Sequence, residues 1–199
     1  MDIDQTMVHC EFPYDPRLPS DNDNQFTFEL GGILYLCTIR PGLYQFLETL
    51  YPFVDFHIFT SATTQYAMEI IQKIDFQQKY FQKIFTQSNV NIQIIRLPNS
   101  SIFQSSVKNI EKMFPSDYNP KRTILIDDII ENFVLQPENG ILIPKFYSYN
   151  LIDDNCLFEL SNYILQILIP SSDVRPILRN KYKLYLHFTE ERKQNTFLF

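Results

Sequence analysis

Two mostly apolar runs that end in polar side chains constrain the fold of this chain more than any other feature. Residues 54–60 form one run, which ends at the hydroxyl of Thr60, and residues 122–128 form the other, which ends at Asp127 and Asp128. Short runs rich in aromatic and β-branched residues are typical of buried strands. The two segments therefore predict strands inside a core, each ending in polar side chains.

Segments with helical periodicity flank the first of these strands. Apolar residues recur at spacings of three and four over Leu43–Leu50 before it and over Ala67–Ile74 after it, which predicts two amphipathic helices. Ser61 or Thr63 is the expected N-cap of the second helix. Because strand, crossover helix and strand in succession are typical of a parallel sheet, we predict an α/β fold with a Rossmann-like parallel sheet flanked by helices.

Shorter patterns predict the remaining elements. Gly31-Gly32 joins two β-rich runs and predicts a β-hairpin with a primed turn. We also predict a short helix between Phe76 and Phe85, strands at 92–96, 101–104, 123–127 and 141–144, and a helix over Val107–Met113 whose first turn holds Lys108. A last amphipathic helix is predicted over Cys156–Leu168, and its expected inward-facing residues are Leu157, Leu160, Tyr163, Ile164 and Ile167.

Composition limits the classes of protein to which the chain can belong. With 199 residues and 45% hydrophobic content, the chain suits one domain with a substantial core. We assign residues 1–170 to that domain and leave 171–199 as an extension without a predicted structure. A net charge of −6 argues against direct nucleic-acid binding, which requires a basic surface. No run approaches the ~20 apolar residues of a transmembrane segment.

The three cysteines bear on the compartment. Cys10, Cys37 and Cys156 are scattered and lack C-x-x-C spacing, a pattern that indicates neither a zinc site nor a redox pair. A reducing compartment is the simpler interpretation. Since no charged and apolar leader precedes the domain, we expect an intracellular protein, nuclear or cytoplasmic.

The chain begins with two carboxylates one residue apart, Asp2 and Asp4, in the segment D-I-D-Q-T. Alternate side chains of an extended segment share a face, so both acids can converge on one substrate while Ile3 points into a core. In such a pair, one ionised carboxylate acts as a nucleophile and the other transfers protons. By itself, the motif is also typical of a charged terminal tail.

Three later segments contain polar residues that could act together with the acid pair. In chain order, the pair, the Thr60 hydroxyl, Lys108 and the second acid pair resemble the haloacid-dehalogenase superfamily of phosphotransferases. Flanking residues narrow the resemblance to the small C-terminal-domain phosphatases, also called NLI-interacting-factor-like phosphatases. The matching blocks are Asp2–His9, Arg40–Gly42, Phe59–Ala62 with Tyr66-Ala67, Val107–Ile110 and Ile126–Asp128. The resemblance runs to about residue 168 and implies a haloacid-dehalogenase-like fold in which the hairpin is a small insertion beside the active site.

The resemblance implies catalytic roles for four residues. Asp2 would attack phosphorus and form an aspartyl phosphate. Asp4 would first protonate the leaving alkoxide and then deprotonate the hydrolytic water. Lys108 would add a fixed positive charge, and Thr60 would donate a hydrogen bond to a phosphoryl oxygen.

The resemblance also implies a metal and a substrate groove. Mg²⁺ prefers hard oxygen ligands, and here they would come from Asp2, the Asp4 carbonyl and Asp128, with Asp127 orienting the shell. Asp128 departs from the asparagine that is common in the family, and the extra charge would strengthen metal binding or alter the rate. Phe12 and Tyr66 fall at positions that line the groove beside the nucleophile.

We therefore predict a Mg²⁺-dependent protein serine/threonine phosphatase whose partner is a phosphoprotein or phosphopeptide. The alternative is a catalytically weak or inactive phosphatase-like module that binds protein. The complete set of expected polar residues favours the enzyme. A phosphatase for small metabolites is disfavoured because the chain lacks the large cap domain that encloses such ligands in related families.

A final expectation concerns the strand that precedes the acid pair in this family. There the pair ends an apolar strand in the middle of the sheet, whereas here only Met1 precedes Asp2. Without that strand, its two neighbours would be separated by about 10 Å, twice the usual spacing. We therefore expect the natural chain to carry about five or six further apolar residues upstream. The alternative is that another segment fills the slot or that the sheet is weakened.

Overall fold

A computed structural model describes residues 1–16, 24–96, 102–116, 118–151 and 153–188. The chain folds into two compact units, Met1–Ser88 with Ile143–Pro170 and Asn89–Leu142 with the chain from Ser171 onward. Within the described residues, no helix combines the length and the apolar character needed to cross a membrane. In chain order the principal elements are β1 Val8–Glu11, β2 Gln25–Leu30, β3 Ile33–Ile39, α1 Leu43–Leu50, β4 Phe56–Phe59, α2 Thr64–Ile74, β5 Phe81–Phe85, β6 Asn91–Arg96, β7 Ile102–Val107, α3 Ile110–Met113, β8 Leu125–Asp127, β9 Gly140–Leu142, α4 Cys156–Tyr163 and α5 Arg175–Tyr182.

The first unit contains a three-stranded antiparallel sheet in the order β1-β3-β2. Strands β2 and β3 form the predicted hairpin, in which Leu30 pairs with Ile33. Gly31 and Gly32 have φ angles of 60° and 78°, and positive φ at both central residues is typical of a primed turn. The hairpin prediction is therefore confirmed.

A second sheet of this unit is parallel and pairs β4 with β5. The backbone of Met1 also pairs with β4, because Met1 N donates to His57 O at 2.8 Å and Phe59 N donates to Met1 O at 3.0 Å. The short helix predicted between Phe76 and Phe85 is wrong, since the second half of this stretch, Phe81–Phe85, forms β5 and the first half is not helical. Pairing with β4 supplies partners for the β5 backbone, and this tertiary context overrides weak local preferences.

Helices α1 and α2 bury the predicted apolar residues. Of the two predicted N-cap candidates for α2, Thr63 is the cap, because its hydroxyl accepts a hydrogen bond from Tyr66 N at 3.4 Å. Helix α4 continues as a wider π-helical turn over Ile164–Leu168.

The inward face that we predicted for the last helix of this unit is wrong at its end, where the π-helical turn lies. Leu157, Leu160 and Ile164 are buried as predicted, but Leu168 replaces Ile167, which is 45% exposed. The reason is geometric, because the turn closes with a bond from Ile169 N to Ile164 O, five residues apart. Each residue of this turn advances by a smaller angle than in an α-helix, which brings Leu168 rather than Ile167 to the inward face.

The second unit contains the antiparallel pair β6–β7 and the parallel pair β8–β9. The predicted strands at 92–96, 123–127 and 141–144 correspond to β6, β8 and β9, and the strand predicted at 101–104 corresponds to the first part of β7, although residue 101 lies outside the described residues. An apolar cluster is formed by Ile110, Leu125, Phe133, Leu184 and Phe188. The last two of these residues follow α5, so the extension that lacked a predicted structure contributes to this core.

Cys10 and Cys37 form a disulfide, a pairing that the sequence did not predict. The antiparallel register of β1 and β3 places the two residues directly opposite each other. Spacing along the chain could not reveal this pairing, because it depends on strand register. Among the described cysteines, Cys156 keeps a free thiol, and burial raises its pKa.

Candidate functional site

The first acid pair directly precedes a tight turn at residues 5–7. Ile3 is fully buried, as predicted, and its carbonyl accepts hydrogen bonds from the backbone N–H groups of Thr6, Met7 and Val8 at 3.3, 2.8 and 3.2 Å. Asp2, which precedes Ile3 in the chain, is buried, and Asp4, which follows it, is half-buried. The buried Ile3 thus anchors the turn that follows both carboxylates.

The residue after Asp4 has an unusual backbone conformation. Gln5 has a φ of 57°, which is uncommon for a residue other than glycine and persists only when neighbouring groups hold it. Gln5 N donates to Val8 O at 2.7 Å, and Gln5 O accepts from Phe146 N at 2.8 Å. Contacts from distant parts of the first unit therefore hold the turn that follows the acid pair.

A buried arginine supports the same turn. Arg40 Nη1 donates to the carbonyl of Thr6 at 3.3 Å and lies 3.5 Å from that of Gln5. Its Nε lies 3.1 Å from both carboxylate oxygens of Asp154, and its Nη2 lies 2.9 Å from Oδ2. Sequence reasoning included Arg40 only in a matching block and missed Asp154, which is 114 residues away. No local signal links the two.

Tyr66, predicted to line the substrate groove, forms a hydrogen bond with the second acid. Tyr66 Oη donates to Asp4 Oδ1 at 2.6 Å. Burial raises the pKa of the Tyr66 hydroxyl, and the negative charge of Asp4 raises it further. Tyr66 is therefore a protonated donor across the pH range in which proteins work.

Aromatic rings lead from Tyr66 to the surface. The Tyr66 ring lies edge-on to Phe28 and Tyr35, each with a centroid distance of 5.7 Å. Tyr35 stacks on Phe28 at 4.9 Å, and Phe12 lies 4.8 Å from Tyr35. Phe12 is 61% exposed, so its ring is available for contact with another molecule. We call these four residues the aromatic row.

Thr60 follows β4 directly and is buried. Its backbone N–H donates to Phe85 O at 2.9 Å, which extends the β4–β5 pairing by one residue. Its Oγ1 accepts from Ala62 N at 3.1 Å. A hydroxyl that accepts one hydrogen bond still carries a proton to donate, so this geometry suits the donor role predicted for Thr60.

The second unit holds Lys108 and the other acid pair. Lys108 Nζ donates to Asp127 Oδ2 at 2.6 Å, and both side chains are buried. Asp127 also accepts from Asn132 Nδ2, 2.9 Å from each oxygen, and from Ile129 N at 2.8 Å. Because a buried charge is costly unless paired and hydrogen-bonded, this network offsets the burial of both side chains. Asp128, the next residue, is also buried.

The structure corrects the position of Lys108 within its segment. The predicted helix over Val107–Met113 is wrong at its beginning, since Val107 ends β7 and α3 begins only at Ile110. Asn109 is the N-cap, and its side chain accepts from Lys112 N at 3.0 Å. Lys108 therefore lies in the short connection between strand and helix rather than in the first helical turn.

Two residues that support Lys108 and Asp127 were not predicted from the sequence. Gln136 Nε2 donates to the Lys108 carbonyl at 2.6 Å and to the Asn132 carbonyl at 3.1 Å, and Asn132 also binds Asp127. Asn132 stands beside Glu131 in a segment, 129–134, whose other residues are apolar, so no local signal distinguished it. No local signal identified Gln136 either.

Comparison with known proteins gives a consistent result. The family model described as NLI interacting factor-like phosphatase matches residues 1–175. A Caenorhabditis elegans protein named CTD small phosphatase-like protein 3 is 27% identical over 191 residues, which cover 94% of this chain and 60% of the relative. An Encephalitozoon cuniculi protein, named as a C-terminal domain phosphatase of RNA polymerase II, is 27% identical over 165 residues, which cover 82% of this chain and 35% of the relative. This chain thus spans less than two thirds of either relative.

Solved structures support the fold. The structure of Fcp1, described as an essential RNA polymerase II CTD phosphatase, matches with a TM-score of 0.54 and 19% identity, over 96% of this chain and 63% of that one. Fission yeast Fcp1 bound to beryllium fluoride matches with a TM-score of 0.52 and 21% identity, over 93% and 54% of the two chains. The predicted α/β, Rossmann-like fold of the haloacid-dehalogenase type is confirmed.

Proposed function

The chain belongs to the NLI interacting factor-like phosphatase family, and from this premise we propose that it is a Mg²⁺-dependent protein serine/threonine phosphatase. The observation that carries the proposal is the burial of Asp2, Lys108 and Asp127. Burying charged groups opposes folding, and a domain that only binds protein has no need to keep all of them. Such groups are typical of catalytic sites.

The proposed reaction has two steps. In the first, a carboxylate oxygen of Asp2 bonds to phosphorus while the bond from phosphorus to the serine or threonine oxygen breaks, and Asp4 gives its proton to the departing alkoxide. In the second, a water oxygen attacks phosphorus, Asp4 takes a proton from that water, and the bond to Asp2 breaks. The two steps release inorganic phosphate and return both acids to their starting states.

The proposed magnesium site consists of four aspartates, three that supply ligands and one that supports them. Carboxylate and carbonyl oxygens are the ligands that Mg²⁺ prefers, and when bound it neutralises charge on the phosphoryl group. Asp127 already accepts hydrogen bonds from Lys108, Asn132 and Ile129, so a supporting role suits it better than direct coordination. We assign the ligands to the Asp2 carboxylate, the Asp4 carbonyl and the Asp128 carboxylate, with Asp127 orienting the shell.

Thr60 and Lys108 complete the proposed catalytic set. The Thr60 hydroxyl would donate to a phosphoryl oxygen, and the Lys108 ammonium would offset charge on the same group. A phosphate monoester carries a charge close to −2, so attack by the Asp2 anion requires such cations and donors. Both side chains are buried, where electrostatic interactions are stronger than in water.

We propose a phosphoprotein as the substrate. The matched relatives are named for dephosphorylating the C-terminal domain of RNA polymerase II, so a phosphoserine peptide of that kind is the first candidate, and a nuclear location follows if it is correct. Phe12 and Tyr66 would line the groove that receives the peptide. The exposure of the Phe12 ring supports this role.

The test is hydrolysis of p-nitrophenyl phosphate and a phosphoserine peptide, with Mg²⁺ or with excess chelator. We expect turnover only with Mg²⁺, and Asp2→Asn and Asp4→Asn should each lower kcat by several orders of magnitude. Asp153→Asn is the matched control, because this aspartate is exposed. If the folded, Mg²⁺-saturated protein is no more active than Asp2→Asn, the proposal fails and a protein-binding module takes its place.

A further inference from the structure

We propose that Tyr66 is a positioning residue that holds the Asp4 carboxylate in the orientation needed to protonate the departing alkoxide. The inference rests on the proposed phosphatase function and adds a role for a hydroxyl that this function does not use. The observation that carries it is the 2.6 Å hydrogen bond from Tyr66 Oη to Asp4 Oδ1. A donor on Oδ1 makes that oxygen the preferred acceptor and favours the Asp4 proton on Oδ2. Tyr66 thus favours the oxygen that delivers the proton.

The fold holds the Tyr66 hydroxyl in a defined position. Tyr66 lies in the first turn of α2, and its backbone N–H is bound by the N-cap Thr63. The helix is anchored by buried residues that include Ala67 and Ile70. Edge-on contacts with Phe28 and Tyr35 restrict the orientation of the ring. A phenol has few torsions, so a ring held in this way directs its hydroxyl precisely.

The same contacts separate positioning from packing. The ring of Tyr66 belongs to the aromatic row, whereas its hydroxyl is bonded to the Asp4 carboxylate. Tyr66→Phe retains the ring and removes one oxygen, so packing is preserved while the hydrogen bond is lost. The raised pKa of the Tyr66 hydroxyl is consistent with this role, since the group stays a donor and is not itself the acid.

The leaving group provides a readout that a purely structural role would not affect. A serine alkoxide must be protonated as it departs, whereas 2,4-dinitrophenolate is a stable anion that departs without an acid. The ratio kcat/KM reports the steps through formation of the aspartyl phosphate. General acids contribute about 10²–10⁴-fold to such steps, and we expect misorientation of Asp4 to forfeit about 10–100-fold of this factor.

The experiment compares kcat/KM for a phosphoserine peptide and for 2,4-dinitrophenyl phosphate in the wild type and Tyr66→Phe. We expect the variant to lose about 10–100-fold on the peptide and less than about 3-fold on the aryl ester. Both substrates are assayed on one preparation, so the ratio of the two losses does not depend on the folded fraction. Tyr35→Phe removes a neighbouring hydroxyl of the aromatic row and should leave that ratio unchanged.

A double-mutant cycle tests whether Tyr66 acts through Asp4. If it does, Tyr66→Phe should have no further effect on peptide hydrolysis once Asp4 is replaced in Asp4→Asn. Equal losses on the two substrates, no loss on either, or an undiminished effect in the Asp4→Asn background would each overturn the inference. Failure of the proposed function is distinguishable, because the wild type would then hydrolyse neither substrate, and the inference would be rejected with it.

Discussion

Lys108 and Asp127 form an ion pair at 2.6 Å in which the side chains are only 1% and 0% exposed. Both charges are thus removed from water and compensate each other, and the Asp127 carboxylate also accepts hydrogen bonds from the Asn132 amide and from Ile129 N. Removing one partner of such a pair usually costs more than the net value of the pair, because the other charge stays buried. The pair therefore has consequences for stability as well as for catalysis.

We predict that Lys108→Ala abolishes activity and lowers the free energy of unfolding by about 3–5 kcal/mol. The physical reason is that the buried Asp127 carboxylate would lose its cationic partner. Urea unfolding and p-nitrophenyl phosphate hydrolysis measure the two effects. Lys112→Ala is the control, since this exposed lysine lies on α3, and it should change neither quantity appreciably. Loss of activity in Lys112→Ala but not in Lys108→Ala would show that the catalytic lysine is misassigned.

A second prediction concerns the support of the acid turn. Asp154→Asn removes the charge that pairs with buried Arg40, and we expect the free energy of unfolding to fall by about 3–5 kcal/mol. Because Arg40 also binds the carbonyl of Thr6, kcat should fall while KM changes little. Thermal melting and steady-state kinetics check this result against the exposed neighbour in Asp153→Asn. A variant with normal melting and normal kcat would argue against the role of this pair.

A third prediction is a pH dependence at the start of α5. Arg175 holds the pKa of Asp173 at about 2, below its ordinary value of 3.8. A lowered pKa in the folded state means that ionised Asp173 favours folding above the ordinary value, and that this stabilisation is lost as the pH falls from about 4 to about 2. Asp173→Asn cannot titrate, so the Tm difference between it and the wild type should shrink over this interval. A constant difference would contradict the prediction.

A fourth prediction tests close packing in the second unit. A Cβ added at Gly140 would lie 2.5 Å from Phe133 Cδ1 and 2.6 Å from Leu184 Cδ1. Gly140→Ala should therefore lower the free energy of unfolding by about 1–3 kcal/mol, as is typical of overpacking. Urea unfolding measures the change. In a double-mutant cycle, Leu184→Ala should relieve part of the Gly140→Ala penalty because it opens space, and strict additivity would exclude this steric explanation.

Local pattern was sufficient for much of the architecture. The spacing of apolar residues predicted α1 and α2, and Gly31-Gly32 predicted the hairpin, because helical periodicity and φ preference are properties of short segments. The order of polar residues also identified the family. These features require only neighbours in sequence, so one chain was enough to find them.

Other features depended on contacts between distant segments. Strand β5 was missed because its backbone groups find partners only beside β4, and the Cys10–Cys37 disulfide was missed because it follows from strand register. The buried face at the end of α4 differs from the predicted one because of the π-helical turn that continues this helix. In each case the deciding interaction joins residues that the sequence does not bring together.

The candidate site divides in the same way. The sequence by itself determined the chemical types of Asp2, Asp4, Lys108 and Asp127 and their order along the chain. Only the tertiary structure decided that Tyr66 binds Asp4, that Asp154 anchors Arg40 and that Asn132 supports Asp127. The physical reason is that a charged or polar side chain must find its partners when it is buried, and those partners are selected by packing rather than by distance along the chain.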